Sequence, residues 1–182
     1  MFDAIIHNMI TIGLAKLARS VAEVTLENRD SDFSITLAFL DSMSAAELLI
    51  RARILEVEVE KNEAVSELRV NELVYGSSRL SFSRLPQELE KISGYSLNKL
   101  QVYLEMTHLR SLVFTEWLSP EKLVKPTLCF AFEVIEPMLI EFWEEIILLH
   151  VPEYDFEIDQ HIEEYLSKYE IEVHGHDDIG DK

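Results

Sequence analysis

The chain has 182 residues, enough for one compact unit around a single core, and its 48% hydrophobic and 27% charged residues exclude a disordered chain. Five glycines and five prolines are too few for a sandwich or barrel, which needs turn residues about every eight to twelve positions. Sixteen Lys and Arg against thirty-four Asp and Glu leave a net charge of −18, a field that repels phosphate backbones wherever basic residues do not gather.

The first element is a helix over residues 3–27, because Ile6, Ile10, Leu14, Leu17, Val21 and Val24 recur at the three-and-four spacing of one helical face. Asn28 to Asp32 is a polar break rich in N-cap residues. From Phe33 to about Val59 the apolar rhythm runs through Leu40, Met43, Ile50, Ile54 and Val57, while Phe39, Ala46, Leu49 and Arg53 form a second face. That pattern predicts a central helix packed on two sides.

Leu55 to Glu60 alternates apolar and acidic residues with period two, so a short hairpin around 55–75 competes with helix there. The frequency of Glu, Ala and Leu over 61–75 favours helix. Gly76-Ser77-Ser78 marks a turn, and Ser83 to Ile92 reads as a short helix with Pro86 in its first turn.

A helix over 97–118 follows, with Leu97, Leu100, Leu104 and His108 on one line and Val102, Met106, Leu109, Val113 and Trp117 on another, which predicts burial on a wide face. Ser119-Pro120 ends it. The last long helix covers about 125–150, its stripe being Leu128, Ala131, Ile135, Leu139, Phe142, Ile146 and Leu149. Pro137 removes a backbone donor in its middle, so a kink or brief break is expected near 133–136.

Composition changes after residue 151. Residues 152–182 hold eleven acids and two lysines, half of the net charge, and divide from the 1–151 bundle as an acidic C-terminal segment. Tyr154, Phe156, Ile158, Ile162, Leu166 and Tyr169 suit a docked helix, followed by a tail expected to fray after Val173.

The most apolar stretch, Leu128–Leu149, carries five glutamates and reads as a core helix, not a membrane span. The N-terminus lacks a basic n-region and a small-residue cleavage site, and a cytoplasmic location is the expectation. Cys129 is the only cysteine, so neither an intrachain disulfide nor a multi-cysteine zinc site can form, and its apolar neighbours predict a buried, inert thiol.

Few motifs carry chemistry. Glu105 and His108 share a helical face at i,i+3, as in di-iron bundles, but no second Glu-x-x-His exists, so no metal is expected. His174, His176, Asp177 and Asp178 could chelate a divalent ion but read as a solvated terminus, and Glu144-Glu145 and Glu163-Glu164 as wet surface. Phosphate-cradling glycine loops, Gly-x-Ser-x-Gly and His-Glu-x-x-His are all missing, and no cofactor is expected.

Arg110 stands out because a permanently charged guanidinium interrupts a mostly apolar helix; it must pair, with Glu47 or Glu105 as the candidates, or face a cleft. Here the chain resembles the HEPN superfamily of helical bundles. The resemblance lies in the helix order over about residues 33–149, in Ser44-Ala45-Ala46-Glu47-Leu48-Leu49-Ile50-Arg51-Ala52, in the short helix near 85–92 and in the Arg-bearing helix that follows. It implies an all-α, up-and-down bundle of about five to seven helices, a homodimer, and a bacterial stress or phage-defence setting.

Members that cut RNA place a His four to six positions after an Arg and a polar residue. Arg110 and Ser111 match the opening of that motif, but Phe114 to Trp117 fills the place of the His, and Thr115 supplies no proton-transfer group near neutral pH. His108 lies about 200° around the helix from Arg110. The reading is therefore a non-catalytic HEPN-like protein acting through protein–protein contacts, with an unknown protein partner and an Arg110-lined cleft as the one place for an RNA end. The alternatives are a ribonuclease with a non-standard site at Arg110, Ser111 and His108, and an acidic nucleic-acid mimic that occupies a basic partner.

Overall fold

The computed structural model describes residues 2–25, 32–61, 65–76, 80–115, 118–151 and 156–173. Within them the chain is an all-α helical bundle without a strand. Helix α1 (Phe2–Thr25) buries Ile6, Leu14, Leu17, Val21 and Val24, the face that the spacing predicts. It runs against α2 (Asp32–Lys61), and the two approach closely at Gly13, where a Cβ would lie 2.6 Å from Leu49 Cγ.

Helix α2 is the central element and contacts α1, α3 (Glu67–Tyr75), α4 (Leu85–Ser93) and α6 (Glu121–Cys129). Phe39, Leu49, Ile50, Ile54 and Leu55 are fully buried, so the two-sided packing expected of this helix is present. It is also, among the described residues, the helix long and apolar enough to cross a bilayer by length and composition, and it is used here as the core of the bundle. The period-two run at 55–60 does not become a strand. Helical spacing gives Glu56 and Glu60 a common partner in Arg53, at 2.6 and 3.9 Å, and tertiary packing buries Leu55 and Val57.

Ser66 caps α3 by accepting the Arg69 N–H. Helix α3 is then tied to its neighbours by Arg69, which donates to Glu58 on α2 at 2.7 Å and Glu88 on α4 at 2.8 Å. A 3₁₀ turn at Phe82–Arg84 leads into α4, Pro86 occupies its first turn, and Gly94, at φ 79°, ends it in the left-handed region.

Helix α5 (Leu100–Thr115) is shorter than the predicted 97–118, and Trp117 lies outside the described residues. The wide buried face is half realised. Met106 is fully buried, with Val102, Leu109 and Val113 packed against the core, whereas Leu100, Leu104 and His108 point outward.

The predicted helix over 125–150 is interrupted, and the structure shows how Pro137 does it. An uninterrupted α-helix would send the residue 137 N–H to the Glu133 carbonyl, but proline has none. The chain widens into a π-helical turn over Phe130–Ile135, in which Glu136 N–H reaches back to Ala131 O, and the freed Glu133 carbonyl accepts Asn98 Nδ2 at 3.0 Å. Helix α7 (Glu136–Trp143) stops seven residues before the predicted end, at Glu144, which takes φ 56°. A 3₁₀ turn at Ile147–His150 follows, so Leu149 leaves the expected stripe and is 64% exposed.

Helix α8 (Phe156–Tyr169) packs on α1 through the buried Ile162 and Leu166. Ile171 is also buried, and Lys99 Nζ joins Glu133 at 3.0 Å to Glu172 at 3.2 Å. Tyr154, His174, His176, Asp177 and Asp178 lie outside the described residues.

Candidate functional site

Two aromatic side chains fix the rotation of α5. Tyr103 is fully buried, stacks on Phe82 with ring centroids 4.2 Å apart and donates its hydroxyl to Phe82 O at 2.7 Å. Burial pushes the Tyr103 phenol well above its ordinary pKa, the nearby Glu47 charge adds to the rise, and Arg51 opposes it. With Tyr103 and Met106 turned inward, Arg110 emerges one turn beyond Met106, toward α2.

There its guanidinium meets an acid. Arg110 Nη1 stands 3.9 Å from Glu47 Oε1, with about half of the Arg110 side chain exposed. The other oxygen of Glu47 accepts from Arg51 Nη2 at 2.9 Å, and the same nitrogen donates to Leu80 O at 3.1 Å. Gly76, at φ 80°, makes room for this buried arginine: a Cβ there would lie 2.9 Å from Arg51 Nη1. One carboxylate therefore holds two guanidinia, one buried and one facing water.

Of the two acids expected to pair Arg110, the structure selects Glu47; Glu105 is exposed on another side of α5. Arg51 was not legible as a member of this cluster, although its i,i+4 spacing from Glu47 was the available signal. What brings it in is the return of Gly76 and Leu80 to α2, which no local pattern specifies.

The motif residues do not converge. His108 and Ser111 are exposed, and among the described residues no hydrogen bond or ion pair joins either to Arg110. Thr115 donates its hydroxyl to Ser111 O at 2.8 Å, an intrahelical bond with no proton-transfer role. The arrangement can orient an anion through Arg110, and among the described residues no imidazole is hydrogen-bonded or ion-paired to it.

Beside α3, charged groups tie the helices together. A groove of about 430 Å³ beside α3 has Glu58, Lys61, Arg69 and Lys91 on its walls; Arg69 is held by Glu58 and Glu88, and Lys61 donates to Ile92 O. No group of three or more His, Cys, Asp or Glu side chains placed to hold a metal ion occurs among the described residues. Cys129 is half-buried, not fully buried as expected, and burial, then the Glu133 charge, pushes its thiol up.

The outer side of α5 has a different character. Leu100 is 42% exposed, Leu104 41% and Phe114 69%, on a helix whose fully buried side chains are only Tyr103 and Met106. Leu100, Leu104, His108, Ser111 and Thr115 follow one another at steps of three and four along this side. The scan against protein-family models and the searches of curated proteins and of solved structures find no match.

Proposed function

We propose that this chain is a non-catalytic, HEPN-like helical bundle that works through protein contacts made by the outer face of α5. The observation that carries the reading is the pairing of two features on one helix: the exposed apolar side chains Leu100, Leu104 and Phe114, and an arginine drawn back to Glu47. Exposed apolar side chains on a helix lose their unfavourable hydration by docking. A ribonuclease site needs the opposite economy, with polar groups gathered at one point. The resemblance supplies the setting, bacterial stress or phage defence.

The test is incubation of the purified chain with total RNA at physiological ionic strength. The expected result is no cleavage above background and no difference between the wild type and Arg110→Ala. Cleavage abolished by Arg110→Ala overturns the non-catalytic reading and makes Arg110, with His108 or Ser111, an active site.

A further inference from the structure

Lys125, Cys129 and Glu133 follow one another at steps of four along α6 and into the π turn, the spacing of one side. The end of α8 runs along that side. Lys125 Nζ lies 6.0 Å from the Tyr169 ring centroid, and the Glu172 N–H donates to Glu133 Oε1 at 3.3 Å. Residues 170 and 171 join these two contacts, so the chain passes across the half-buried Cys129 between them. After burial, the charges that act on its thiol are Glu133, Lys125, Lys99 and Glu105, the first three being members of the same contact.

The segment beyond α8 is held lightly. Glu170 takes φ 55° and turns the chain off the helix, while the Glu170 and Ile171 N–H groups bond back to Ser167 O and Leu166 O in α8 itself. Residues 170–173 meet the rest of the bundle through the buried Ile171, the partly buried Val173, the Glu172 N–H on Glu133, and Lys99. Lys99 Nζ stands 3.0 Å from Glu133 and 3.2 Å from Glu172, and it does so from a left-handed backbone of φ 44° at the foot of α5. Lys99 and Glu170 thus hold strained conformations on the two sides of one contact, a pattern that collects at switch regions. Glu133, only 7% exposed, needs partners, and the Glu172 N–H and Lys99 supply them. A contact this small and this dependent on charge opens at a lower free energy than the packed core.

We infer that residues 170–173 are a strap, latched by Lys99 and pinned by Ile171, that opens without unfolding the bundle and so gates the approach of small solutes to Cys129 and Glu133. Cys129, the only cysteine, reports the opening.

Alkylation of the native full chain by iodoacetamide at pH 8, followed by mass, tests the strap. Native Cys129 is expected to react at least about tenfold more slowly than in the urea-unfolded chain. Lys99→Met and Ile171→Ala should each speed the native reaction about tenfold, the weight of one charge-assisted hydrogen bond, with circular dichroism unchanged. Losing the Lys99 charge by itself raises the thiol pKa and slows alkylation, so a faster reaction in Lys99→Met reports opening. Arg69→Met, which loosens the bundle at α2, α3 and α4, should leave the rate at the wild-type value.

Native alkylation as fast as in the unfolded chain overturns the strap, because the thiol is then uncovered. Rates unchanged in both Lys99→Met and Ile171→Ala overturn it too, and acceleration by Ile171→Ala alone removes Lys99 as the latch. Acceleration by Arg69→Met equal to that by Lys99→Met shows that the thiol is reached by general unfolding and overturns opening of the strap alone.

Discussion

Tyr103 lies flat on Phe82, the two ring planes within 9°, and closes the contact by donating its hydroxyl to the carbonyl of the same residue at 2.7 Å. One side chain thus anchors α5 to the turn before α4 by stacking and by a hydrogen bond. Tyr103→Phe keeps the stack and leaves the buried Phe82 carbonyl without that donor. The expected loss is about 1–2 kcal/mol in urea unfolding, near the cost of an unmade buried hydrogen bond. A loss below about 0.5 kcal/mol would show that another donor replaces it.

The same residue sets an alkaline limit. Its phenol has a raised pKa in the folded state because of burial, then Glu47, while the unfolded chain titrates near the ordinary value of 10.0. The folded state therefore retains a proton that the unfolded state has lost, and stability, intact below about pH 10, falls as pH rises above it. Unfolding curves taken from pH 8 to 11 should slope downward in the wild type and less steeply in Tyr103→Phe. Equal slopes in the two proteins would remove Tyr103 from the account.

The contact of α1 with α2 makes a prediction opposed to helix propensity. Alanine is a better helix former than glycine by roughly 1 kcal/mol, so Gly13→Ala should stabilise an isolated helix. In this protein the new methyl group would sit 2.6 Å from Leu49 Cγ, and Leu49 is fully buried. Overpacking costs typically about 1–3 kcal/mol, so the net effect should be a loss of stability. Adding Leu49→Ala should relieve the clash, making the double variant more stable than the two single losses sum to.

These cases show what could be read before the fold was seen. The buried face of α1 follows from spacing, and Pro137 announces a break that the π turn at 130–135 fulfils, because a missing N–H is a local fact. The orientation of α5 is not local. Leu100 and Leu104 form one apolar line, Val102, Met106, Leu109 and Val113 another, and which line turns inward is decided by Tyr103 docking on Phe82. The end of α7 at Glu144 had no signal either, since a glutamate there adopts a conformation normally left to glycine or asparagine. At the site, Arg110 and Glu47 were legible as partners, but Arg51 entered only through the path of Gly76 and Leu80.

The last prediction concerns Arg69, which binds helices α2, α3 and α4 together. Its guanidinium donates to Glu58 through Nε and Nη2, to Glu88 through Nη2, and stands 3.6 Å from Glu72. Three acids share this one guanidinium, and the hydrogen bond to Glu58 is the largest cause of its raised pKa. Arg69→Met keeps much of the side-chain volume but leaves Glu58, Glu72 and Glu88 facing one another without their cation.

Breaking such a pair from one side costs about 3–5 kcal/mol when fully buried, and this cluster is partly open to water, so about 2–3 kcal/mol is expected. Repulsion among the stranded carboxylates should make the loss larger at low salt than at about 0.5 M salt, where screening is short-ranged. It should also shrink when Glu58→Gln is added. If Arg69→Met costs the same with and without Glu58→Gln, the guanidinium acts by packing its stem, and the ionic account of how α3 is held fails.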